Sequence, residues 1–161
     1  VDARRPPSSQ ESRMIHIERS SEIAATPAEI WEVLADFGAL ASWVPMIQHT
    51  CPLSDQTEGV GTVRRVQVQR QTLIETVTVW SPPDTLTYTI EGLPSIAGVP
   101  VTTWRLIADG PNTRVTVSTD LDTGRNPIRR LVGRKVLDRL GLAAEFMLAG
   151  LAARVAPGAS S

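Results

Sequence analysis

The stretch from Asn126 to about Val155, NPIRRLVGRKVLDRLGLAAEFMLAGLAARV, decides the fold. An Asn cap followed by a first-turn proline predicts a helix start, because proline lacks an N–H that would have no intrahelical partner there. Pro157 and Gly158 predict the end of the helix. The sequence therefore predicts one long helix close to the end of the chain.

The two halves of this helix differ in character. Residues 125–139 carry six basic side chains against one acidic one, whereas residues 140–153 are apolar almost throughout. Such an apolar half needs a large apolar partner, which we expect the rest of the chain to supply. Its largest side chains are Phe146, Met147, Leu148 and Leu151.

The chain ahead of the helix alternates between apolar and polar residues, which is typical of strands. A first strand is predicted over Met14–Ala25. Thr26, Pro27 and Glu29 then form a capping box that starts a short helix, and a second short helix ends at Pro45. Six further strands follow, at Met46–Leu53, Gly61–Arg70, Thr72–Trp80, Thr85–Glu91, Pro100–Ala108 and Thr113–Leu121.

Strands joined by short turns favour one curved antiparallel sheet with one apolar face. That face must be covered, and the long helix is the only predicted element that is long and apolar enough. The fold class is therefore α+β, with a seven-stranded sheet wrapped around the long helix and two short helices after the first strand. Space is expected between sheet and helix, near small helix residues such as Ala144 and Gly150.

Composition excludes several classes of protein. The net charge is −1, with +5 on residues 125–161 (seven basic, two acidic) and −6 on the remainder, which argues against broad nucleic-acid binding. One cysteine, Cys51, excludes an intrachain disulfide and a cysteine-rich metal site. We expect a cytoplasmic protein with disordered tails at residues 1–13 and 157–161, and Met14 is a candidate natural start.

Several motifs, in order, resemble one superfamily. The motifs are IAATPAEIW (23–31), LADF (34–37), WVP (43–45), GVG (59–61), WRL (104–106), NTRVTV (112–117) and the closing helix. In these motifs the chain resembles the START-like helix-grip superfamily SRPBCC, in its polyketide cyclase/dehydratase and lipid-transport branch. The resemblance implies a helix-grip domain over residues 14–156 and an apolar small molecule, such as a lipid or polyketide, held between sheet and helix.

Few titratable groups fall on the predicted inner face. The candidates are Arg19, Glu75, Tyr88 and His49. A bulge or strand end would instead return Arg19 to water, the alternative we favour, and His49 could equally face solvent. Tyr88 is the only tyrosine and alternates with Leu86 and Ile90, so its hydroxyl would seek a partner inside the core. A ligand carbonyl would provide one, and a backbone carbonyl or a water would serve a purely structural tyrosine equally well.

The remaining ligand-binding candidates are apolar. The predicted cavity wall consists of Trp43, Trp104, Val117, Met147 and Leu151, although Trp43 could equally be a core residue without a ligand contact. The connection Gly92–Pro100 is unusual because it is apolar as well as rich in glycine and proline. We expect it to form a mobile lid whose Leu93 and Ile96 touch ligand or membrane, although it could instead fold back on its own sheet.

Three functions are compatible with these features, and none requires a metal or a cofactor. The first is a carrier that binds a hydrophobic small molecule without reaction, favoured by the scarcity of catalytic groups. The second is a polyketide aromatase/cyclase that uses the same cavity, so the sequence leaves open whether the protein is an enzyme. The third is transient contact with an anionic membrane through Arg129, Arg130, Arg134 and Lys135, charges that a solvated helix face explains as well.

Overall fold

The computed structural model describes residues 13–158, so the predicted tails lie almost wholly outside the described residues. These residues form seven strands, two α-helices and two short 3₁₀ helices, the latter at Phe37–Ser42 and Ser95–Ala97. The strands are β1 (Met14–Ile23), β2 (His49–Pro52), β3 (Val63–Val68), β4 (Gln71–Ser81), β5 (Thr85–Glu91), β6 (Val101–Asp109) and β7 (Asn112–Asp122). The helices are α1 (Pro27–Ala35) and α2 (Pro127–Val155).

All neighbouring strands pair antiparallel in one sheet of order β1-β7-β6-β5-β4-β3-β2. Helix α2 packs on β1 and β7, while α1 and the first 3₁₀ helix pack on β6, β3 and β2. The predicted α+β class is confirmed, because a curved antiparallel sheet grips the long helix and two short helices follow the first strand. The predicted strand Met46–Leu53 is shorter in the structure, since only His49–Pro52 pair with β3.

Both predicted helix starts are confirmed atom by atom. The N–H of Glu29 donates to Thr26 Oγ1 at 3.2 Å, and the N–H of Thr26 donates back to Glu29 Oε2 at 2.7 Å. At the start of α2, Asn126 Oδ1 accepts hydrogen bonds from the N–H groups of Ile128 at 2.9 Å and Arg129 at 3.3 Å. These caps satisfy N–H groups that a helix start leaves without an intrahelical acceptor.

The inner face of the sheet follows the predicted alternation, with one local exception. Leu86, Tyr88 and Ile90 on β5 are buried, as are Val115 and Val117 on β7. On β4 the register shifts between Val77 and Val79. This bulge adds one residue to the strand, so the inner face passes from odd-numbered to even-numbered positions and Trp80 packs against the core.

Glycines on α2 permit a close approach to the rest of the molecule. A Cβ atom at Gly150 would collide with the backbone carbonyl oxygen of Trp43, and one at Gly133 would collide with the Thr123 side chain. The absence of a side chain at these positions therefore sets how deeply α2 sits against the sheet and fixes Trp43 beside it.

One expectation about α2 is wrong. Leu148 and Leu151 are buried and Met147 packs against the core, but Phe146 is 51% exposed on the opposite side of the helix. The helix is apolar on more than one side in this region, and the sheet can cover only one of them. The rest of the described chain does not supply a partner for Phe146.

Candidate functional site

A buried ion pair lies on the inner face of the sheet. Arg64 on β3 and Glu75 on β4 are direct cross-strand neighbours, and Arg64 Nε donates to Glu75 Oε2 at 2.5 Å. Both side chains are almost completely buried. Arg64 Nη1 also donates to the carbonyl oxygen of Phe37 at 2.9 Å, so the pair ties two strands to the first 3₁₀ helix. Charges are buried in proteins only when they are paired and hydrogen-bonded in this way.

Two aromatic rings enclose the guanidinium group. The central carbon of Arg64 lies 3.8 Å from the centroid of the Phe37 ring and 5.1 Å from that of Tyr88. The two rings meet edge to face, with centroids 5.6 Å apart. A cation over aromatic faces is attracted by the negative charge density of the rings, which adds to the Glu75 interaction.

Tyr88 lies at the centre of this interior and is 1% exposed. Its oxygen accepts a hydrogen bond from Trp104 Nε1 at 3.1 Å. Burial raises the pKa of the Tyr88 hydroxyl to about 12, with a further contribution from the negative charge of Glu75 that Arg64 partly offsets. The hydroxyl therefore keeps its proton at neutral pH, so it can donate a hydrogen bond to an acceptor but cannot act as a base.

Trp43 contributes a buried donor without an acceptor. Its ring meets that of Trp104 edge to face, with centroids 6.2 Å apart. Within residues 13–158, Trp43 Nε1 is the one buried side-chain nitrogen or oxygen atom that has no hydrogen-bond partner. A buried N–H without an acceptor costs roughly 1–3 kcal/mol, so this position favours a molecule that brings an acceptor. We call the group of Trp43, Arg64, Glu75, Tyr88 and Trp104 the interior site.

The structure brings most of the predicted ligand-binding residues together. One continuous core cluster contains Trp43, Tyr88, Trp104, Val117 and Leu151, and Leu93 and Met147 pack against it. Glu75 joins the same interior through its pair with Arg64. Sequence reasoning missed Arg64, although its alternation with the buried Val66 on β3 was a usable signal.

Two other predicted residues lie away from the interior site. Arg19 is about one-third exposed and its Nε donates to Glu145 Oε1 of α2 at 3.3 Å. Ile96 is exposed, and its carbonyl oxygen accepts a hydrogen bond from Arg129 Nε at 2.9 Å. His49, a further candidate, is exposed on the edge strand β2.

Two grooves on the surface are separate from the interior site. One, of about 270 Å³, runs between β1 and α2 and includes Arg130 and Arg134. The other, of about 450 Å³, is lined by residues of α1, the loop before β3 and the end of β4, with Trp31 and Trp80 among them. The rings of these two tryptophans meet edge to face at 5.3 Å. Neither lining includes Tyr88 or Trp104.

The described residues contain no helix that is long and apolar enough to cross a membrane. Within the same residues, no group of three or more His, Cys, Asp or Glu side chains is arranged to hold a metal ion. The buried polar groups near the inner face of the described sheet include the Arg64–Glu75 pair, the Tyr88 phenol and the indole N–H groups of Trp43 and Trp104. Buried threonine hydroxyls share that face, at Thr102, Thr113 and Thr119.

Comparison with known proteins gives a consistent picture. The model of the family described as polyketide cyclase / dehydrase and lipid transport matches residues 14–156. The Zhui aromatase/cyclase from Streptomyces sp. R1128 is 23% identical with a TM-score of 0.69, covering 92% of this chain and 99% of that one. Ara h 8.0201 is 19% identical with a TM-score of 0.67, covering 88% of this chain and 97% of that one.

A third similar structure is a larger protein. The di-domain ARO/CYC BexL from the BE-7585A biosynthetic pathway is 14% identical with a TM-score of 0.73, and the match covers 91% of this chain and 51% of that one. Identities this low establish the fold alone. No curated protein matches the chain.

The ion pair can be tested with a double-mutant cycle. We expect Arg64→Met and Glu75→Leu each to lower the free energy of unfolding by about 3–5 kcal/mol, because each leaves the other charge buried without its partner. The double variant Arg64→Met/Glu75→Leu should lose far less than the sum, since it removes both charges. Urea denaturation monitored by circular dichroism measures all four free energies. Strict additivity of the two single losses would show that the pair is not coupled.

Proposed function

The chain belongs to the polyketide cyclase / dehydrase and lipid transport family, and on that premise we propose that it binds an apolar, oxygen-bearing small molecule, lipid-like or polyketide-like, between the inner face of the sheet and α2. The observation that carries the proposal is the buried Trp43 N–H without an acceptor inside an aromatic core. An apolar interior with a few convergent polar groups is the usual composition of a small-molecule site.

Two donors of the interior site suit a ligand carbonyl or hydroxyl oxygen. Trp43 Nε1 has no partner among the described residues, and the Tyr88 oxygen already accepts from Trp104, which leaves its own hydrogen to donate. Both residues contact Trp104, one through ring packing and the other through the hydrogen bond. A ligand beside Trp104 could therefore accept from either group while its apolar part contacts Val117 and Leu151.

The electrostatics of the interior site fit a carrier that leaves its ligand unchanged better than they fit an enzyme. Arg64 is neutralised by Glu75, and its Nε and Nη1 atoms are already used by Glu75 and Phe37. The high pKa of Tyr88 removes it as a base at neutral pH. The second candidate, aromatase/cyclase activity, is favoured by one observation: a guanidinium cation lies beside the phenol, and such a pair could stabilise an enolate oxygen.

Entry to the interior site requires a local opening, because Tyr88 and Trp104 are at most 2% exposed. We assign this role to the connection between β5 and β6. Its Leu93 packs against the core cluster of the interior site and against a second cluster formed by Ile15, Ala97, Leu121, Val136 and Leu137. Ala97 is fully buried, and the Arg129 hydrogen bond to the Ile96 carbonyl oxygen closes the loop from outside. Residues 92–100 lie between β5 and β6 and outside both strands, so the loop can open without breaking the strand pairing of the sheet.

The proposal is tested with protein purified from its own host. Native mass spectrometry should show a noncovalent adduct, and extraction should yield an apolar compound that carries oxygen. The recovered compound is then titrated into ligand-free protein and into Tyr88→Phe, which should bind it more weakly by about 0.5–1.5 kcal/mol through the loss of one hydrogen bond. Recovery of the compound unchanged after incubation with excess protein supports the carrier, and conversion supports the cyclase.

A matched control removes a hydroxyl from the opposite face of the same strand. Thr87 neighbours Tyr88 on β5 and its Oγ1 lies 3.0 Å from Thr103 Oγ1. Thr87→Val should leave affinity unchanged. Two results would count against the interior site. One is protein that is reproducibly empty, and the other is that Tyr88→Phe and Trp43→Phe each bind the recovered compound as tightly as the wild type does.

The loop can be tested separately by hydrogen exchange. We expect the amides of residues 92–100 to exchange faster than those of β5 and β6 in ligand-free protein, and to become protected when the recovered compound binds. Arg129→Gln should speed exchange in the loop, because it removes the guanidinium donor to the Ile96 carbonyl oxygen. Equally strong protection of the loop with and without ligand would place the entrance elsewhere.

A further inference from the structure

The outer face of α2 carries a line of exposed side chains opposite the buried ones. We call this line the outer stripe, and its members are Ile128, Leu131, Lys135, Asp138, Leu142 and Phe146. Successive members are three or four residues apart, a spacing that keeps them on one side of a helix. The four apolar members are between 51% and 65% exposed.

This exposure differs from the scattered apolar residues of an ordinary surface. Single exposed hydrophobic side chains need no explanation, whereas several aligned on one helix face indicate an interaction surface. The described part of the chain does not cover the stripe. Lys135 and Asp138, at its centre, have no ion-pair partner among residues 13–158.

The stripe is complementary to itself when one copy is turned end for end. A two-fold axis level with the midpoint between Val136 and Leu137 places Leu131 of one copy opposite Leu142 of the other. The same axis places Lys135 of one copy opposite Asp138 of the other. Ile128 of one copy then lies beside the helical turn of the other copy that contains Phe146. A surface that matches itself under a two-fold rotation is the requirement for an isologous dimer.

We propose that this protein forms a homodimer in which α2 packs antiparallel against α2 of a second copy along the outer stripe. Both ends of the contact are then apolar, and the centre holds two equivalent ion pairs between Lys135 of each copy and Asp138 of the other. Spacings of three and four residues are those of helices that pack side by side over a long contact. A parallel arrangement would place like charges together and is disfavoured.

A second copy fits this face better than an anionic membrane does. The charges of Lys135 and Asp138 cancel, and Arg139 adds an exposed positive charge beside the stripe, four residues after Lys135. Other basic residues of the helix have contacts away from the stripe: Arg129 donates to the Ile96 carbonyl oxygen, and Arg130 and Arg134 line the groove between α2 and β1, which Asp138 borders as well. Membrane binding would require these charges to lie around the apolar residues.

The contact is expected to be weak and reversible. A stripe from Ile128 to Phe146 is roughly 27 Å long at 1.5 Å per residue, and one helix pair buries less than the ~1,200–2,000 Å² of a standard interface. Interfaces below the standard size are typical of weak, transient association.

Charge exchange at the centre tests the proposal. Sedimentation velocity should show the wild type passing from one chain, 17.4 kDa, to twice that mass as its concentration rises. Lys135→Glu and Asp138→Lys should each weaken the dimer roughly tenfold or more, because each places like charges opposite one another twice. The double variant Lys135→Glu/Asp138→Lys should restore wild-type association. Circular dichroism should show all variants folded, since both positions are exposed.

Controls separate this dimer from other associations. Arg105→Glu, a charge reversal at an exposed position of β6, should leave the dimer unchanged. A monomer at all concentrations would overturn the proposal, as would a dimer that the exchanged charges do not affect. Sedimentation with vesicles containing phosphatidylserine gives a further outcome: wild-type binding that Lys135→Glu abolishes and the double variant does not restore would identify a lipid surface and overturn the dimer.

Discussion

The buried pair of Arg64 and Glu75 connects the parts of the molecule that α2 covers least. Helix α2 packs on β1 and β7, at one side of the sheet, and the other side is closed by short helical segments. Arg64 joins β3 to β4 through Glu75 and to the first 3₁₀ helix through the Phe37 carbonyl oxygen. Loss of this pair would remove one tie between the short helix and the sheet, next to the Phe37 ring that packs against Tyr88.

The same pair limits the chemistry of the interior site. It places two charges beside Tyr88, but each charge cancels the other, so the phenol experiences mainly the loss of water around it and holds its proton. The groups with unused hydrogen-bonding capacity are then neutral donors, the Trp43 N–H and the Tyr88 hydroxyl. These two donors can bind a ligand oxygen, but neither is a base that could accept a proton from the ligand, which is why binding without reaction is the function we favour.

Local rules in the sequence predict the fold because each concerns neighbouring residues. The caps at Thr26 and Asn126 and the alternation in β5 and β7 are all present in the structure. Prediction of the site was less complete. The inner position of Arg64 was missed because a basic residue suggests that its side of the strand faces water. Only the acidic residue opposite it on the neighbouring strand shows otherwise. Alternation alone does not fix the side of Trp80, because a bulge changes the parity of β4. The exposure of Phe146 was missed because periodicity cannot orient a helix that is apolar on several sides.

The two faces of α2 have separate roles in this account. Its inner face shapes the interior site, and its outer face carries the self-complementary stripe. The central claim concerns the inner face, and the four tryptophans allow a direct test because Trp43 and Trp104 belong to the interior site while Trp31 and Trp80 line a surface groove. The indole N–H resonances should be followed by NMR, assigned through single Trp→Phe variants, as the compound recovered from the native protein is added. The account predicts that the Trp43 resonance shifts most, followed by Trp104, while those of Trp31 and Trp80 stay in place. A shift confined to Trp31 and Trp80 would contradict it.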